Sequence, residues 1–362
     1  MDLKTTPLND VHIARGAKMG GFAGWSMPLF YPLGVMKEHL HTRAAAGLFD
    51  ISHMVQMFID GASSAATLNR LCPIDAQSIA PGAAKYTFML TESGGIIDDL
   101  IVTRVGETRF FVVANAGCAE KDLAHIRTVA AEQGATVDVL PRAFVALQGP
   151  VAESVLAVHG FDVSPLSFMA AVEPKEGWLI SRSGYTGEDG FEISLPEAEV
   201  SGFVEALLDG GGVELCGLGA RDSLRLEAGL CLYGQDLTEE ISPLEAGLLW
   251  AIPKQVREDG GFIGAEAFRA LRLAGRRRAR VGLKPEGRAP VRGGADLVTG
   301  AGEKIGSVTS GGFGPSLEGP IAMGYVPIET AKAGGSVLAE VRGRHLPCTI
   351  EKMPFVPHRY KS

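Results

Sequence analysis

The sequence predicts a mixed α+β protein that ends in a small all-β domain. Hairpins and helices follow one another irregularly over the first three-quarters of the chain, which does not fit a strictly alternating parallel sheet. After Gly275, short β segments are separated by glycine and proline, as in a small barrel or sandwich. A length of 362 residues leaves room for two or three domains.

Hydrophobic periodicity and turn residues place the individual elements. A helix at about 34–46 is expected to bury Val35 and Leu40. The β-rich run 86–90, the turn residues 92–95 and the return run 96–102 predict a hairpin. In order, the other elements expected before residue 150 are a strand at 54–59, a helix at 63–71, a strand at 110–114, a helix at 121–133 and strands at 137–140 and 144–148.

The second half begins with two helices, at about 151–158 and 200–208, that flank strands at 177–182 and 191–195. Ser242, Pro243 and Glu245 form a capping box with proline at the first helical position, which predicts a helix start. Five strands are expected after the boundary at 270–280, namely 280–283, 304–308, 321–326, 337–341 and 346–350.

Composition and charge exclude several classes of protein. Hydrophobic residues make up 46% and charged residues 21% of the chain, which excludes general disorder. The net charge of −8 argues against nucleic acid as the main partner. No apolar run reaches the roughly 18–20 residues of a membrane span, and the N-terminus lacks the apolar core of a signal peptide. We expect a cytosolic protein or a mature organelle protein, with neither nucleic acid nor membrane as partner.

The thiols and imidazoles do not suggest a metal site. The five cysteines are odd in number, widely spaced and without a C-x-x-C pair, so buried reduced thiols are expected. His39 and His41 are two residues apart on a predicted helix and face different sides of it. Both are interpreted as surface residues, and no metal is predicted.

Two adjacent aspartates, Asp98 and Asp99, stand inside an apolar strand. Aspartate is depleted from strands and is costly to bury without a partner. Because side chains alternate along a strand, the two carboxylates face opposite sides of the sheet. One can reach solvent or a surface partner while the other must meet a polar site. A catalytic carboxylate and a buried aspartate satisfied by backbone or arginine both remain open.

Two glycine-rich segments also combine polar groups with close backbone approach. Residues 181–192 are either a ligand loop or an ordinary acidic turn, and they are not a phosphate loop because no lysine follows the glycines. Residues 217–229 carry Arg221 and Arg225 at a spacing of four, on one helical face. A guanidinium there suits a carboxylate or an amide-rich ring, or else pairs internally with Asp222 or Glu227.

Taken together, blocks along the whole chain resemble the aminomethyltransferase, or T-protein, family of the glycine cleavage system. Besides the double-aspartate strand, these blocks are residues 6–8, 16–19, 22–28, 46–54, 146–150, 184–192, 217–236, 306–311 and 321–327. The resemblance implies two interleaved α+β lobes over 1–272 and a C-terminal β-barrel over 273–362, in a cloverleaf around a tetrahydrofolate site. It also implies a lipoylated H-protein as partner, and a location in the cytoplasm of a bacterium or in the mitochondrial matrix for a mature eukaryotic form.

The same resemblance assigns roles to residues. Asp99 matches the carboxylate that would stabilise cationic character on the aminomethyl carbon and manage protons. Glu192 and Arg221 match the pair that holds the pterin ring, and Tyr185 matches a pocket tyrosine. The remaining matches are weaker and stand on the pocket wall and the C-terminal tail; they are Met54, Tyr86, Asn115 and Tyr360.

Two alternatives share this resemblance. One is a tetrahydrofolate-dependent demethylase of a small methylated substrate, since folate residues alone do not identify the donor. The other is a folate-binding factor related to iron–sulfur assembly, whose cysteine and glutamine spacing recurs at Cys231 and Gln235. The basic run 276–280 is either a solvated segment between domains or a docking patch for an acidic partner.

Overall fold

The computed structural model describes residues 3–362. Its α-helices are α1 (Asn9–Ala14), α2 (Val35–Ala44), α3 (Ser64–Leu71), α4 (Ala119–Gln133), α5 (Ala152–Val158), α6 (Glu197–Asp209), α7 (Leu218–Glu227), α8 (Lys254–Asp259) and α9 (Ala265–Ala274). The strands of the first half are β1 (Lys4–Thr5), β2 (Lys18–Phe22), β3 (Trp25–Phe30), β4 (Ala46–Asp50), β5 (Val55–Asp60), β6 (Ala84–Leu90), β7 (Ile96–Arg104), β8 (Arg109–Ala114), β9 (Thr136–Val139) and β10 (Ala143–Gln148). The strands that follow are β11 (Ala170–Val172), β12 (Leu179–Arg182), β13 (Gly190–Leu195), β14 (Val213–Leu215), β15 (Arg278–Pro285), β16 (Asp296–Val298), β17 (Lys304–Gly314), β18 (Gly319–Pro327), β19 (Ser336–Val341) and β20 (Arg344–Glu351).

Two α+β lobes are interleaved along the chain. The six-stranded sheet has the order β11-β12-β13-β10-β4-β14, and the five-stranded sheet has the order β6-β7-β8-β5-β9. The whole second sheet is inserted in sequence between β4 and β10, which are neighbours in the first. The lobes therefore cannot be cut apart at one point of the chain, and the predicted α+β class is confirmed.

One apolar cluster joins the two lobes to helix α7. It combines buried side chains of β4, β8 and β10, such as Phe49, Phe111 and Phe144, with Ala220 and Leu224 of the helix. Burying surface of this kind stabilises by roughly 25 cal/mol per Å² of apolar area. The cluster therefore fixes α7 and the carboxyl end of β4 against β8, the strand next to the double-aspartate strand β7.

The C-terminal strands close into a six-stranded barrel of order β15-β18-β17-β16-β19-β20. Five of these strands were predicted, and only the three-residue β16 was missed because it is too short for periodicity to show. A buried polar network docks the barrel on α7: Arg225 contacts Asp236 at 2.8 Å and Ser310 of β17 at 2.9 Å. Arg225 and Asp236 are both almost wholly buried, so this contact is a desolvated ion pair.

Helix α2 corrects the sequence interpretation. Its buried side is polar, with Glu38, His39 and Arg43 inside, whereas the predicted core residue Leu40 is 42% exposed. His39 was expected at the surface, but it is fully buried and contacts Glu227 at 3.0 Å. The error has a physical cause, because most partners of this polar face are distant in sequence: α7, the β12–β13 loop and the barrel supply them.

The predicted helix start at Ser242 is also wrong. The capping-box contacts form, since the Ser242 backbone N–H donates to Glu245 at 3.0 Å, but only turns and a short 3₁₀ segment, Leu249–Ala251, follow. The N-terminal hairpin of β2 and β3 was not anticipated at all. All five cysteines are buried free thiols, as expected. Within residues 3–362 we find no helix long and apolar enough to cross a membrane.

Candidate active site

The predicted hairpin places the two aspartates on opposite faces of the five-stranded sheet. Asp99 lies opposite Phe88 in the β6–β7 register, and Asp98 lies opposite Met89. Tyr86 is two residues before Phe88, so it shares the face of Asp99. Its hydroxyl donates to a carboxylate oxygen of Asp99 at 3.1 Å. Asp99 is partly exposed, whereas Asp98 is fully buried on the other side.

Asn115, just beyond the end of β8, holds both aspartates. Its side-chain Nδ2 donates at 2.9 Å to Asp98 Oδ1 and at 2.9 Å to Asp99 Oδ1. Its backbone N–H donates to Asp98 Oδ2 at 3.0 Å. The fully buried Asp98 thus meets a polar site in the interior, while Asp99 keeps partial exposure on the other face of the sheet.

Burial raises the pKa of Asp99 to about 7, and the negative charge of Asp98 adds to the rise. The hydrogen bonds from Tyr86 and Asn115 act in the opposite direction because they favour the charged form. Asp99 therefore changes its protonation near neutral pH, which is the range in which a carboxyl group is most effective as an acid or base.

A second group of polar side chains is formed around Tyr185. Arg221 of α7 stacks its guanidinium over the Tyr185 ring, 4.7 Å from the centroid. Burial raises the pKa of Tyr185, Arg225 opposes the rise, and the charge of Asp99 adds to it, so Tyr185 is within electrostatic range of Asp99. The Tyr185 hydroxyl itself donates to the backbone carbonyl of Cys231.

The guanidinium group of Arg221 has an unused hydrogen-bond donor. Its buried Nη1 has no hydrogen bond within residues 3–362. Burial lowers the pKa of Arg221, and the nearby charge of Glu192 opposes this. Glu192 accepts a hydrogen bond from Ser183 Oγ at 2.7 Å through Oε2. A guanidinium with a buried, unused donor beside a carboxylate has the groups that could hydrogen-bond a planar polar ring.

Arg221 and Arg225 were predicted on one helical face, but they serve different partners. Arg225 takes the internal pairing that the sequence left open, with Asp222 at 2.8 Å and Asp236 at 2.8 Å. Arg221 makes no such pair. The guanidinium of Arg221 therefore lies against Tyr185, and that of Arg225, one turn later, lies in the interface with the barrel.

The loop between β12 and β13 combines both interpretations left open by the sequence. Its acidic residues are structural, because Asp189 pairs with Arg182 and Glu188 pairs with Arg43 at 3.1 Å. Tyr185, in the same loop, belongs to the polar group around Arg221. The segment is thus an ion-paired acidic turn that presents one aromatic side chain.

Met54 and Tyr360, two of the four weaker predicted residues, contact apolar and aromatic side chains. Met54 is partly buried against the apolar cluster that joins both sheets to α7. Tyr360 stacks on Phe168, with ring centroids 4.0 Å apart. Burial raises the pKa of Tyr360 to about 12, Arg43 opposes this, and Glu188 and Glu192 add to it. Tyr360 is therefore within electrostatic range of Glu192.

One aromatic neighbour of the site was not predicted from the sequence. Trp250, in the 3₁₀ segment that replaces the predicted helix, stacks on Tyr86 with centroids 5.6 Å apart and is 68% exposed. The capping box predicted a helix through this segment and assigned Trp250 no role in the site. An exposed indole against a site tyrosine could have been found only from the tertiary structure.

The basic run is less available than predicted. Arg278 pairs with Glu245 at 2.8 Å, and Arg280 donates to the Gly229 carbonyl at 2.9 Å. Arg276 and Arg277 are exposed, whereas Arg278 and Arg280 are only partly so. If the run docks an acidic partner, these two side chains are the ones that contact it.

The site as a whole combines a carboxyl group that titrates near neutrality with an aromatic and guanidinium wall for a planar polar molecule. This combination, on interleaved α+β lobes closed by a barrel, is suited to a group-transfer enzyme. Residues 8–256 match the GCVT N-terminal domain, and residues 278–357 match the glycine cleavage T-protein C-terminal barrel domain.

The chain belongs to the glycine cleavage T-protein family and is an aminomethyltransferase of the glycine cleavage system. It is 45% identical to the mitochondrial aminomethyltransferase of Homo sapiens, with 99% of this chain and 91% of that protein covered. It is 42% identical to that of Dictyostelium discoideum, over 100% of this chain and 94% of the relative. A crystal structure of the glycine cleavage system aminomethyltransferase T from Bartonella henselae matches with a TM-score of 0.98 and 51% identity, covering 99% and 100% of the two chains.

Proposed function

We propose that tetrahydrofolate is the acceptor and that it binds between Asp99 and the Arg221–Glu192 pair. The observation that supports this most directly is the buried Nη1 of Arg221, which has no hydrogen bond within residues 3–362. The pterin ring of a folate carries an oxygen acceptor and adjacent N–H donors. Arg221 suits the oxygen and Glu192 suits the N–H groups, so the residues present fit this substrate.

Asp99 acts at the other end of the bound folate, where the carbon is transferred. The aminomethyl carbon forms bonds to folate nitrogen as its C–N and C–S bonds break, which releases ammonia and the dihydrolipoyl thiol. Positive charge develops on this carbon during the transfer, and a fixed carboxylate beside it lowers the energy of that state. Asp99 in its ionised form provides this charge and can also accept a proton from the attacking ring amine. Tyr86 and Asn115 orient the carboxylate by hydrogen bonds, and Tyr185 forms the wall beside Arg221.

The donor in this proposal is an aminomethyl group on the lipoyl arm of the H-protein. Arg276 and Arg277 are its docking residues on this chain, where an acidic carrier would meet exposed positive charge. The proposed location is the cytoplasm of a bacterium or the mitochondrial matrix. The division of the chain into residues 1–272 and 273–362 stays part of the same proposal.

Folate binding tests the assignment of Arg221. Arg221→Met removes a charged hydrogen-bond donor worth about 1.5–3 kcal/mol, so the Kd for tetrahydrofolate is expected to rise by about 10- to 150-fold. Arg221→Lys recovers only part of this loss because it lacks the planar fork. Calorimetric titration measures both, with the exposed Arg277→Met as the matched control. An unchanged Kd in Arg221→Met would show that Arg221 does not bind the pterin ring.

The pH dependence of turnover tests the role of Asp99. Since the ionised form is the active one and burial raises the pKa of Asp99 to about 7, kcat/KM is expected to fall towards tenfold per pH unit below pH 7. Tyr86→Phe removes a hydrogen bond that lowers this pKa, so the acid limb should move to higher pH. Ammonia release measured from pH 5.5 to 9 gives both profiles. An acid limb at the same pH in both proteins would contradict the assignment.

A further inference from the structure

Behind the double-aspartate strand lies a second carboxyl group that the reaction does not use. Asp122, in the first turn of α4, is fully buried, as is Asp98. A carboxylate oxygen of each, together with the sulfur of Cys118, lies within 4.8 Å of the others. Neither oxygen of Asp122 has a hydrogen-bond partner within residues 3–362 when both carboxyl groups are counted as ionised.

Two carboxylates this close cannot both stay ionised in an interior without a counter-charge. The nearest cation is Lys121, but its ammonium group binds Tyr233 at 2.8 Å and Glu239 at 2.9 Å. The other titratable groups that face Asp122 are the thiols Cys72 and Cys118 and the more distant Asp99. None of them supplies a positive charge. One proton must therefore lie between Asp98 and Asp122.

The hydrogen bonds decide which carboxyl group carries that proton. Asp98 already accepts two hydrogen bonds from Asn115, at 3.0 and 2.9 Å, and these favour its charged form. Asp122 accepts none. Burial raises the pKa of Asp122 to about 9, the interaction with Asp98 adds to the rise, and Lys121 opposes it. The geometry and the charge balance agree on Asp122 as the acid.

We infer that Asp122 is a neutral carboxylic acid at neutral pH, that it donates its proton to Asp98, and that it thereby positions Asn115 on Asp99. Asp122 is thus a positioning residue. The chain of contacts runs from Asp122 to Asp98, from Asp98 to the Asn115 amide, and from that amide to Asp99. The last link rests on the proposed role of Asp99, whereas the protonation of Asp122 does not.

The proton carried by Asp122 can be counted directly when the protein unfolds. At pH 7 an ordinary aspartate is ionised once the chain unfolds, so denaturing the wild-type protein releases the Asp122 proton. In Asp122→Asn that proton is missing, but the amide still offers an N–H donor to Asp98. A pH-stat during denaturation in weakly buffered solution is expected to record one proton more per chain from the wild type than from Asp122→Asn.

The matched control is Asp138→Asn, which makes the same substitution at an exposed position on β9 of the same sheet. It should release the same number of protons as the wild type. Equal release from wild type and Asp122→Asn would overturn the inference. So would one equivalent of a divalent metal in the purified wild type that is absent from Asp122→Asn, because a cation would then replace the proton.

Turnover tests the positioning role separately. Asp122→Ala removes the donor to Asp98, and kcat is expected to fall tenfold or more with little change in the KM for tetrahydrofolate. Asp122→Asn should recover most of that loss. Full kcat in Asp122→Ala, or an equal loss in both variants, would contradict the positioning role. Because the proton count does not depend on turnover, failure of the proposed role of Asp99 would leave that count unchanged.

Discussion

Replacing Asp99 by asparagine is expected to lower kcat for ammonia release by about 10²- to 10⁴-fold. The substitution keeps the size of the side chain and removes its charge, so the transferred carbon loses the anion that stabilises its developing positive charge. Tetrahydrofolate should still bind with nearly the wild-type Kd, because Glu192 and Arg221 hold its other end. Single-turnover ammonia release and calorimetric folate titration give the two quantities.

Asp138→Asn provides the matched control for this experiment. It makes the same chemical change on an exposed strand of the same sheet and should leave kcat unaltered. Wild-type turnover in Asp99→Asn would assign the catalytic charge to another group. A large loss of folate affinity with kcat preserved at saturation would instead make Asp99 a binding residue.

The second large effect is on stability. Arg225→Met leaves the fully buried Asp236 without its partner at 2.8 Å and also removes the contact with Ser310 of β17. Breaking a buried pair by removing one member costs about 3–5 kcal/mol, because a charge stays in the interior uncompensated. We expect the free energy of unfolding to drop by this amount, with the barrel released first. Urea denaturation followed by hydrogen exchange of β17 measures both.

Arg278→Met is the control for that variant. Its pair with Glu245 has the same 2.8 Å separation, but the guanidinium is 41% exposed, so solvent screens the interaction and the loss should stay below about 1 kcal/mol. Equal losses in the two variants would show that burial of the Arg225–Asp236 pair does not determine its contribution. A double variant that also replaces Asp236 by asparagine should recover part of the loss.

The sequence predicted elements well where the determining contacts are local. The β6–β7 hairpin combines strand alternation with a glycine turn, and both are properties of neighbouring residues. The predicted buried face of helix α2 was wrong for the opposite reason, since Glu38, His39 and Arg43 are buried by contacts that are mostly distant in sequence. Periodicity assumes that apolar residues face the core, and it has no way to recognise a polar face that is satisfied from another lobe.

The residues of the candidate site likewise differ in how far the sequence alone predicted them. An aspartate inside an apolar strand demands a polar environment, and this argument singled out Asp98 and Asp99 as a pair. The family resemblance chose Asp99 between them. It also assigned roles to Glu192 and Tyr185 in the glycine-rich loop and to Asn115, which has no unusual local pattern. Asp122 was not found by either route, since an acidic residue in the first turn of a helix is ordinary. Its importance comes only from lying against Asp98.

Transfer of a one-carbon unit from a lipoyl-bound aminomethyl group to tetrahydrofolate is tested most directly by ammonia release. The purified chain is given aminomethyl-loaded H-protein, with and without tetrahydrofolate. We expect release that tetrahydrofolate strongly stimulates, with methylenetetrahydrofolate formed in equal amount. Release that tetrahydrofolate does not stimulate, from protein shown to bind it, would contradict transfer to tetrahydrofolate.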